Sequence, residues 1–593
     1  VNIEVGGDNV YLGGDRYRGA NHIMVDEDFL VFKADYDNDD SVLTFGIERA
    51  ETSVYNLFIA RYNGEIQFDS IADFEAGTWS YLRFHTPIAG NDQVGTAAAD
   101  FEIEKTTMYI QDKRYANDDL TLVFGFRYDK VLTPSEPHLN PKFLERNGIG
   151  NNSAFDFDLI QPRFSWNYDA TSLFGSRVVE ATIRGGRGLF MGRIPRVWYG
   201  NAYSRSGGLT DYNRFRSYSS TIGPMPAASV ADPHFFWLGP TSNYQVRSAW
   251  YGDAQGTDPD FRAPSSWRSN VAIDILTAKG YDLTFEYNKD QVNEGVFYQD
   301  LGLTRTGTLA DGRGTYTGAG DFWLSNSGQG ESEAFTIMMN KTWDNLKFMT
   351  AYTNMDASDA YGLTSAQAES IYGYFNRWDG ENVNAARTNF MVEHKFLASL
   401  DYTTQLLGSN DTRFSLVFIR KSGEPYSISF DEPGYNSVTG NSRFYADYAL
   451  AYVPTGASDP NVSFTSASVA EAVMAHVNST GLRGYKGTYA PRNAFNSPWY
   501  SRLDLRITQD INVFKDHKVI VYLDLLNLLN LIDDDKGIVK EYSYNNSRQI
   551  IVDGVTSDGK FIIKGVDPDD NLWIQNRDGQ SAWNINLGFK YAF

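Results

Sequence analysis

The residues that most often act as nucleophiles or metal ligands, cysteine and histidine, are absent or few in this sequence, and the histidines lie far apart along it. Cysteine is absent, which excludes disulfides, zinc–thiolate sites and thiol catalysis. The seven histidines are His22, His85, His138, His234, His394, His476 and His517. Metal ligation needs convergent ligands, which this spacing does not indicate. Neither Gly-x-Ser-x-Gly nor His-Glu-x-x-His occurs. We therefore predict no catalytic residue, metal site, cofactor or enzymatic activity. An active site assembled from scattered residues stays open, with no pattern in its favour.

Three short runs have compositions that also occur in ligand-binding loops. Asp35-Tyr36-Asp37-Asn38-Asp39-Asp40 lacks the Gly at position six and the Glu at position twelve of an EF-hand, which indicates a solvated turn. Asp567-Pro568-Asp569-Asp570 is compatible with a solvated loop or with weak calcium binding. No helix with Lys-Ser/Thr follows Gly185, Gly186 and Gly188, so we predict strand kinks there rather than a phosphate site.

The composition narrows the class of protein. The 593 residues include 52 Lys and Arg against 74 Asp and Glu, a net charge of −22, which disfavours nucleic acid as a partner. Aromatic residues make up 15%, yet the mean hydropathy is −0.40 and no run of about 18 apolar residues predicts a transmembrane helix. The first residues show neither an initiator Met nor a secretory signal, so we expect a mature, processed or partial chain.

Alternation of apolar and polar residues is the main structural signal. In 583–593 every odd position is large and apolar or aromatic, and the even positions are Asn, Asn, Gly, Lys and Ala. Between Leu503 and Val513 apolar odd positions oppose Arg502, Asp504 and Arg506. Successive side chains of a strand point to opposite faces, so one face is apolar and the other faces water. A soluble sandwich also alternates, but its strands usually have about 5–6 residues.

The lengths of the connections favour a barrel. The predicted strands are 28–37, 41–58, 101–114, 118–131, 155–170, 176–192, 266–278, 281–304, 331–342, 345–357, 388–406, 411–430, 499–514, 517–532 and 583–593. A tight turn and a long loop alternate between them, as in outer-membrane barrels with periplasmic turns and extracellular loops. We predict an all-β fold, a transmembrane antiparallel β-barrel, over residues 1–593.

The direction of the strands indicates that this barrel is incomplete. A strand that ends in a tight turn runs toward the periplasm, so both 28–37 and 583–593 run downward. Bacterial single-chain barrels have an even number of strands. At least one upward strand is therefore missing before residue 28, unless residues 1–13 supply it.

Two extracellular loops, 193–265 and 431–498, are far longer than usual connections, which suggests function or contact with a partner. They are rich in Tyr, Trp, Phe, Asn, Ser and Gly. This composition suits ligand binding and close packing of the barrel mouth equally well, and no ligand-binding residue can be named. Capping patterns predict short helices from Ser468 to about Val477 and from Thr364 toward Tyr374.

Several motifs, in this order, resemble the barrel of TonB-dependent outer-membrane receptors, and in particular the Oar-like receptors of Bacteroidota and myxobacteria. The motifs are Gly185-Gly186-Arg187-Gly188-Leu189-Phe190-Met191-Gly192, Pro195-Arg196-Val197-Trp198, His394-Lys395-Phe396-Leu397-Ala398-Ser399-Leu400, Ser422-Gly423-Glu424-Pro425-Tyr426-Ser427, Tyr489-Ala490-Pro491-Arg492-Asn493, Ser497-Pro498-Trp499, Leu503-Asp504-Leu505-Arg506, Leu523-Asp524-Leu525-Leu526-Asn527-Leu528-Leu529-Asn530 and the terminal Phe593. The resemblance implies 22 strands in the complete receptor, of which the last 15 are visible here. It also implies a plug domain and a TonB box, and neither is recognisable in this chain.

From this resemblance we expect a multi-pass protein of the bacterial outer membrane that binds a substrate outside and imports it by TonB-dependent, proton-motive-force-coupled transport. Expected partners are outer-membrane lipid and lipopolysaccharide, the TonB system through a missing N-terminal part, and a surface lipoprotein or another outer-membrane protein. The alternatives are a surface adhesion or assembly barrel whose long loops bind proteins without transport, and a passive porin. The substrate is not readable from the sequence.

Overall fold

The computed structural model describes most of the chain. The described residues are 2–5, 8–87, 91–216, 254–318, 320–380, 383–432, 448–514, 517–568, 572–575 and 579–593. Parts of both long loops, 217–253 and 433–447, therefore lie outside the described residues, as do the predicted turn at 515–516, His234, and Asp569 and Asp570 of the second acidic run.

Fifteen antiparallel strands form the principal sheet, the wall of the barrel. They are β1 Ala20–Asn38, β2 Ser41–Ile59, β3 Ala99–Tyr115, β4 Leu120–Leu132, β5 Asp156–Asp169, β6 Val178–Met191, β7 Ser265–Thr277, β8 Tyr281–Asp300, β9 Gly330–Thr342, β10 Leu346–Asp359, β11 His394–Leu407, β12 Asn410–Lys421, β13 Tyr500–Phe514, β14 His517–Leu526 and β15 Asn584–Ala592. Each pairs with the next in chain order. The predicted fold class, a large antiparallel barrel sheet, is confirmed.

Local sequence explains the tight turns at one end of the wall. Between β1 and β2, Oδ1 of Asn38 accepts hydrogen bonds from the backbone N–H groups of Asp40 and Ser41, both at 3.0 Å. Between β7 and β8, Gly280 has a φ of 72°, a left-handed conformation that favours glycine. Only the end of the first acidic run, Asp39 and Asp40, forms the predicted turn, because Asp35 to Asn38 belong to β1.

The two faces of the wall differ in character. On β15 the side chains of Leu587 and Phe589 are each 76% exposed. The register places Leu587 opposite Leu523, and Leu523 opposite Ile507, so the apolar residues continue across neighbouring strands. An exposed apolar band is what a wall facing hydrocarbon requires, and the predicted alternation at the C-terminus is confirmed.

The two end strands of the wall run in the same direction, because β1 and β15 are the first and fifteenth of an alternating series. No register pairs β1 with β15 within the described residues. Antiparallel closure therefore requires an odd number of further strands between them. The described residues among 1–13 do not supply one, since Asn2–Val5 and Asp8–Tyr11 pair with each other and Asn2–Val5 also pairs with Glu65–Phe68.

The long connections form smaller elements at the other end of the wall. One five-stranded sheet has the order Thr210–Arg216, Tyr81–Pro87, Glu65–Phe68, Asn2–Val5, Asp8–Tyr11, and a second has the order Val462–Phe464, Phe561–Val566, Asn546–Val555, Pro425–Asp431, Phe495–Asn496. Two-stranded sheets pair Thr304–Thr308 with Gly314–Thr317 and Val539–Tyr542 with Leu572–Gln575. Asp321–Ser327 pairs with the upper end of β8, and Ala254–Thr257 pairs in parallel with Asp321–Ser327. Ala386–Arg387 pairs with the end of β10.

The described α-helices are short. They are α1 Ile71–Ala76, α2 Pro141–Asn147, α3 Thr171–Phe174, α4 Arg196–Ser204, α5 Ala368–Gly373, α6 Ala467–Ser479 and α7 Leu528–Ile532. The 3₁₀ helices are Asn91–Ala97, Gly175–Arg177, Gly481–Tyr485 and Ser543–Asn545. Within the described ranges, none of the helices has the length and apolar character that crossing a membrane would need.

We call the connections after β2, β4, β6, β8, β10, β12 and β14 the cap, and the largest apolar core lies between the cap and the upper ends of the strands. Tyr199 of α4 packs edge-on against Phe101 of β3, with ring centroids 5.3 Å apart, and Val473 of α6 belongs to the same cluster. Burying a large apolar side chain contributes about 1.5–3 kcal/mol. Packing in the cap therefore stabilises the extracellular end of the molecule.

Four predicted strands are clearly longer than the observed ones, and the predictions are wrong for the extra residues. The strand predicted at 281–304 ends at Asp300, and the one predicted at 388–406 begins at His394. The strand predicted at 411–430 is divided, because β12 ends at Lys421 and Pro425–Asp431 pairs in parallel with Asn546–Val555 of the cap. The strand predicted at 517–532 ends at Leu526 and is followed by α7.

Candidate functional site

The inner face of the wall carries the three charged residues of β13 that alternation places there. Arg502 Nε donates to Asp504 Oδ1 at 2.8 Å. Arg506 donates from Nε and Nη2 to the two carboxylate oxygens of Asp524, at 2.5 and 2.8 Å. Both arginines are therefore neutralised by the wall itself.

Ion pairs recur around this inner face, and all those given next except Arg127 with Asp129 join different strands. They include Arg127 with Glu48 (2.9 Å), Arg127 with Asp129 (3.1 Å), Lys105 with Asp129 (3.5 Å), Arg184 with Asp274 (2.9 Å), Arg413 with Asp510 (3.2 Å) and Lys518 with Asp510 (2.7 Å). Charged side chains on the hydrocarbon side would cost up to about 2–4 kcal/mol each at the midplane. The inner face is thus a hydrophilic interior.

The described part of loop 193–265 packs its aromatic residues inward. The Tyr199 hydroxyl lies 3.0 Å from Thr133 Oγ1 and 3.2 Å from the Tyr203 hydroxyl, which donates to the carbonyl of Ser135 at 2.6 Å. Burial and the neighbouring Tyr203 raise the pKa of Tyr199. Of the two roles open to this loop's aromatic residues, the described ones are used for packing.

Loop 431–498 contains α6, whose start the sequence predicted two residues too late. The N-cap is Ser466, whose side chain accepts from Val469 N–H, so the prediction of Ser468 as the cap is wrong. The helix predicted from Thr364 is the shorter α5, capped by Gln367 without a side-chain bond. Local capping patterns repeat over a few residues, and packing decides which one is used.

A turn held by Asp459 orders the same loop. Its carboxylate accepts from the N–H and hydroxyl of Thr455 at 2.7 and 2.8 Å and from Asn461 N–H at 2.9 Å. Burial acts to raise the pKa of Asp459, but these hydrogen bonds outweigh it and hold the pKa below its usual range. Asp459 is therefore a structural residue of the cap.

A cavity of about 410 Å³ lies between the upper end of β8 and the segment that follows Ala254–Thr257. Three carboxylates line it, those of Asp258, Asp260 and Glu294, and its lining contains no Lys, Arg or His. Asp258 accepts from Asp260 N–H at 2.9 Å and from Trp323 Nε1 at 3.4 Å. Its volume lies within the range of small-molecule sites, about 300–1,000 Å³.

Amides and one aromatic ring complete the lining. Asn326 is held by Arg262, whose N–H donates to Asn326 Oδ1 at 2.7 Å, and Gln329 Oε1 accepts from Ala385 N–H at 2.8 Å. Gln299 and Phe297 stand on the same side of β8. Within the described residues, the side chains of Asp260, Glu294 and Gln299 have no hydrogen-bond or ion-pair partner, so the cavity offers acceptors to a ligand that donates hydrogen bonds or carries positive charge.

The sequence of residues 40–533 matches the family described as outer membrane beta barrel domain. The chain belongs to this family. Its location is the bacterial outer membrane, as the apolar outer face and charged inner face require. No curated protein matches the sequence.

Solved structures similar to this outer-membrane β-barrel are larger than the chain. The outer membrane transporter YddB from Escherichia coli is 11% identical, with a TM-score of 0.47, and the match covers 93% of this chain and 54% of that one. The FrpB iron transporter from Neisseria meningitidis is 10% identical (TM-score 0.43; 86% and 52% covered), and the siderophore receptor PirA from Acinetobacter baumannii is also 10% identical (0.41; 86% and 51%). The chain spans about half the length of these structures, and at such identities substrate and mechanism do not transfer.

The sequence predicted none of the cavity residues of this barrel. They come from Asp258-Pro259-Asp260, from 294–299 and from 325–329, segments that only the pairing of strands brings together. The one signal was the acidic pair within a loop otherwise rich in aromatic and small residues. Elsewhere, the carboxylates of Asp533–Asp535 come within 4.8 Å of one another, but Asp533 already pairs with Lys536 at 2.9 Å, and exposed acidic turns are common without an ion.

Proposed function

We propose that this barrel is a receptor and transporter that binds a solute at its extracellular face and imports it by TonB-dependent transport. The observation that carries the proposal is the cap cavity with its unpaired acceptors, Asp260, Glu294 and Gln299. Asp260 and Gln299 are exposed and Glu294 is half-buried, so their side-chain oxygens are free to accept hydrogen bonds from a ligand that enters the cavity. The charged inner face of the wall supports a hydrophilic route below the cap.

Energy coupling is the second part of the proposal. The motifs that resemble TonB-dependent receptors support coupling to the proton motive force of the inner membrane. In this proposal the plug domain and the TonB box belong to polypeptide upstream of Val1. Lipopolysaccharide around the wall, and a surface lipoprotein or another outer-membrane protein, are the further proposed partners.

A surface adhesion or assembly protein is the alternative. It is favoured by the cap, because the described aromatic residues of the long loops pack into a rigid core that could present a protein-binding surface. Such a barrel would need neither a route through the wall nor an energy source. The two functions therefore differ in whether any solute is taken up.

A measurement of solute uptake distinguishes the transporter from the adhesion protein. Cells with and without the gene are grown in a defined medium, and mass spectrometry follows the loss of solutes from it. We expect at least one solute to be consumed only by cells that carry the gene, and its uptake to stop when a protonophore collapses the proton motive force. The double variant Asp260→Asn/Glu294→Gln should slow that uptake about 10-fold or more, since a hydrogen bond to a charged group contributes about 1.5–3 kcal/mol.

Asp535→Asn is the matched control, because it removes a carboxylate from an exposed turn of the same cap. Its uptake should equal that of the unchanged protein. If deletion changes no solute but abolishes attachment of cells to a surface or to each other, the adhesion function is correct and import is not.

We also propose that residues 1–593 are the C-terminal part of a larger barrel. The support is the shared direction of β1 and β15, and unpaired backbone groups at a strand edge are costly in lipid. The missing strands number seven if the barrel has the 22 implied by the motif resemblance.

The migration of unheated samples in SDS gels tests this proposal. A closed barrel resists SDS until it is boiled, so we expect residues 1–593 alone to migrate as an unfolded chain and the polypeptide with its upstream sequence to migrate as a compact one. A compact, heat-modifiable band from residues 1–593 alone would contradict the proposal.

A further inference from the structure

One arginine of the inner face differs from all those described above. Arg163 of β5 has no carboxylate within ion-pair distance among the described residues. Its Nη2 lies 3.4 Å from Gln161 Oε1, an oxygen that already accepts from Met191 N–H at 2.9 Å. Its Nε is buried and has no acceptor. Among the described residues, the charge of Arg163 therefore has no ion-pair partner, unlike the inner-face arginines described above.

A second arginine and an aromatic ring stand beside it. The register places Arg163 opposite Gly188 of β6, and Gly188 opposite Arg268 of β7, so one row holds two guanidinium groups separated by a glycine. The ring of Phe190, also on β6, faces both guanidinium groups, with its centroid 4.5 Å from Cζ of Arg163 and 5.9 Å from Cζ of Arg268. Contact with an aromatic face holds a guanidinium group without neutralising it.

The glycine is required by this arrangement. A Cβ atom at Gly188 would lie 3.0 Å from Arg163 Cγ and 3.0 Å from Phe190 Cε2, closer than ordinary contacts. The side chains of Arg163 and Phe190 thus occupy the space that a larger residue would take. This gives the Gly185–Gly188 run a role other than the strand kinks predicted for it, and the register runs through it without interruption.

The nearby carboxylates belong to ion pairs with other cations. Glu48 and Asp129 pair with Arg127 and Lys105, and Asp290 pairs with Arg268, so none of them pairs with Arg163. The ion pair of Arg268 is loose, because its Nε lies 3.7 Å from Asp290 Oδ2. Its side chain is 62% exposed, so N–H groups of Arg268 remain free to donate to another group. A partly buried guanidinium without a counterion is unfavourable, and an anion that enters the interior would relieve that cost.

We propose that Arg163, Arg268 and Phe190 form a carboxylate-binding station on the inner wall. It binds the carboxylate groups of an imported solute whose hydrogen-bond donors or positive charge bind the acidic cap cavity. The planar guanidinium fork matches the two oxygens of a carboxylate. Because two guanidinium groups lie beside one ring, they favour a small dicarboxylate over a monocarboxylate. The role in passage rests on the proposed import, whereas binding itself does not.

Binding is measured by calorimetry on the complete purified receptor in detergent, with succinate as the probe and succinamide as its uncharged analogue. We expect heat of binding with succinate and none with succinamide. Arg163→Gln should weaken succinate binding about 10-fold or more, and Arg163→Lys, which keeps the charge but loses the fork, about 3-fold. Resistance of each variant to SDS shows that it is folded.

Arg506→Gln is the matched control, because it removes one positive charge from the same inner face at a site that has its own carboxylate. It should change succinate affinity less than about 2-fold. Absence of succinate binding to the unchanged receptor, or equal weakening by Arg163→Gln and Arg506→Gln, would overturn the station. Binding that persists in a receptor without uptake would overturn the proposed import and leave the station in place.

Discussion

Replacing Leu587 by arginine is expected to prevent assembly of the barrel, whereas the same replacement at the adjacent Asn586 is expected to be tolerated. Leu587 lies on the outer face of β15 opposite Leu523. An arginine on the lipid side costs about 2–4 kcal/mol at the midplane of a bilayer, which is a large part of the stability of a typical domain. The measurement is the fraction of each variant that resists SDS in isolated outer membranes, followed by urea unfolding in lipid vesicles.

The neighbouring position is the control, because it changes the face and nothing else. Asn586 stands opposite Asp524, whose carboxylate already binds Arg506 on the inner side. A second arginine there meets water and a carboxylate rather than hydrocarbon. If both variants assemble equally well, or if only Asn586→Arg fails to assemble, the outer and inner faces of the wall have been assigned wrongly.

The wall could be predicted from the sequence because its main constraint is local. A strand with lipid on one side and water on the other must alternate in residue type, and the alternation from Leu503 to Val513 is sufficient to place Arg502 and Arg506 inside. The tight turns follow from residues such as Asn38 and Gly280, which make their own local hydrogen bonds or backbone conformation. These features need no knowledge of distant partners.

The ends of the strands could not be predicted in this way. Alternation continues past Lys421 through Tyr426, Ile428 and Phe430, which suggested one long strand. The wall ladder ends with the hydrogen bonds between Ser422 and His394, and Gly423 then passes so close to Ser497 that a Cβ atom would clash with its backbone. The new partner, Asn546–Val555, lies more than a hundred residues away, and no local pattern indicates it.

The candidate sites depend on such distant pairing even more. Asp260 and Glu294 meet in one cavity only because Asp321–Ser327 joins β8 to Ala254–Thr257. Arg163 is notable for the absence of a carboxylate on its neighbours, which is a property of register and not of residue type. The aromatic residues of the long loops are equally suited to ligand contact and to packing, so composition could not decide between them.

The second large effect is expected at Arg492, a cap residue that is 4% exposed. Its Nη2 donates to the backbone carbonyl and to Oδ1 of Asp359 at 2.5 and 2.7 Å, and its Cζ lies 4.5 Å from the ring centroid of Phe375. Burial lowers the pKa of Arg492, while Asp359 acts in the opposite direction. Arg492→Met should destabilise the cap by about 2 kcal/mol, because it removes charge-assisted hydrogen bonds at a buried arginine and leaves the partly exposed Asp359 without its partner.

Limited proteolysis and thermal unfolding of the purified complete receptor, with its upstream sequence, measure this effect. Cleavage within loop 431–498 should become faster in Arg492→Met, while resistance to SDS is retained, because the ladder of the wall does not include Arg492. Arg420→Met, at an exposed arginine near the end of β12 stacked on Trp499, is the control and should cleave at the unchanged rate. If Arg492→Met also cleaves at that rate, the cap is not held by this ion pair. If instead the wall and the cap lose stability together, they unfold as one unit and the cap cannot move independently during uptake.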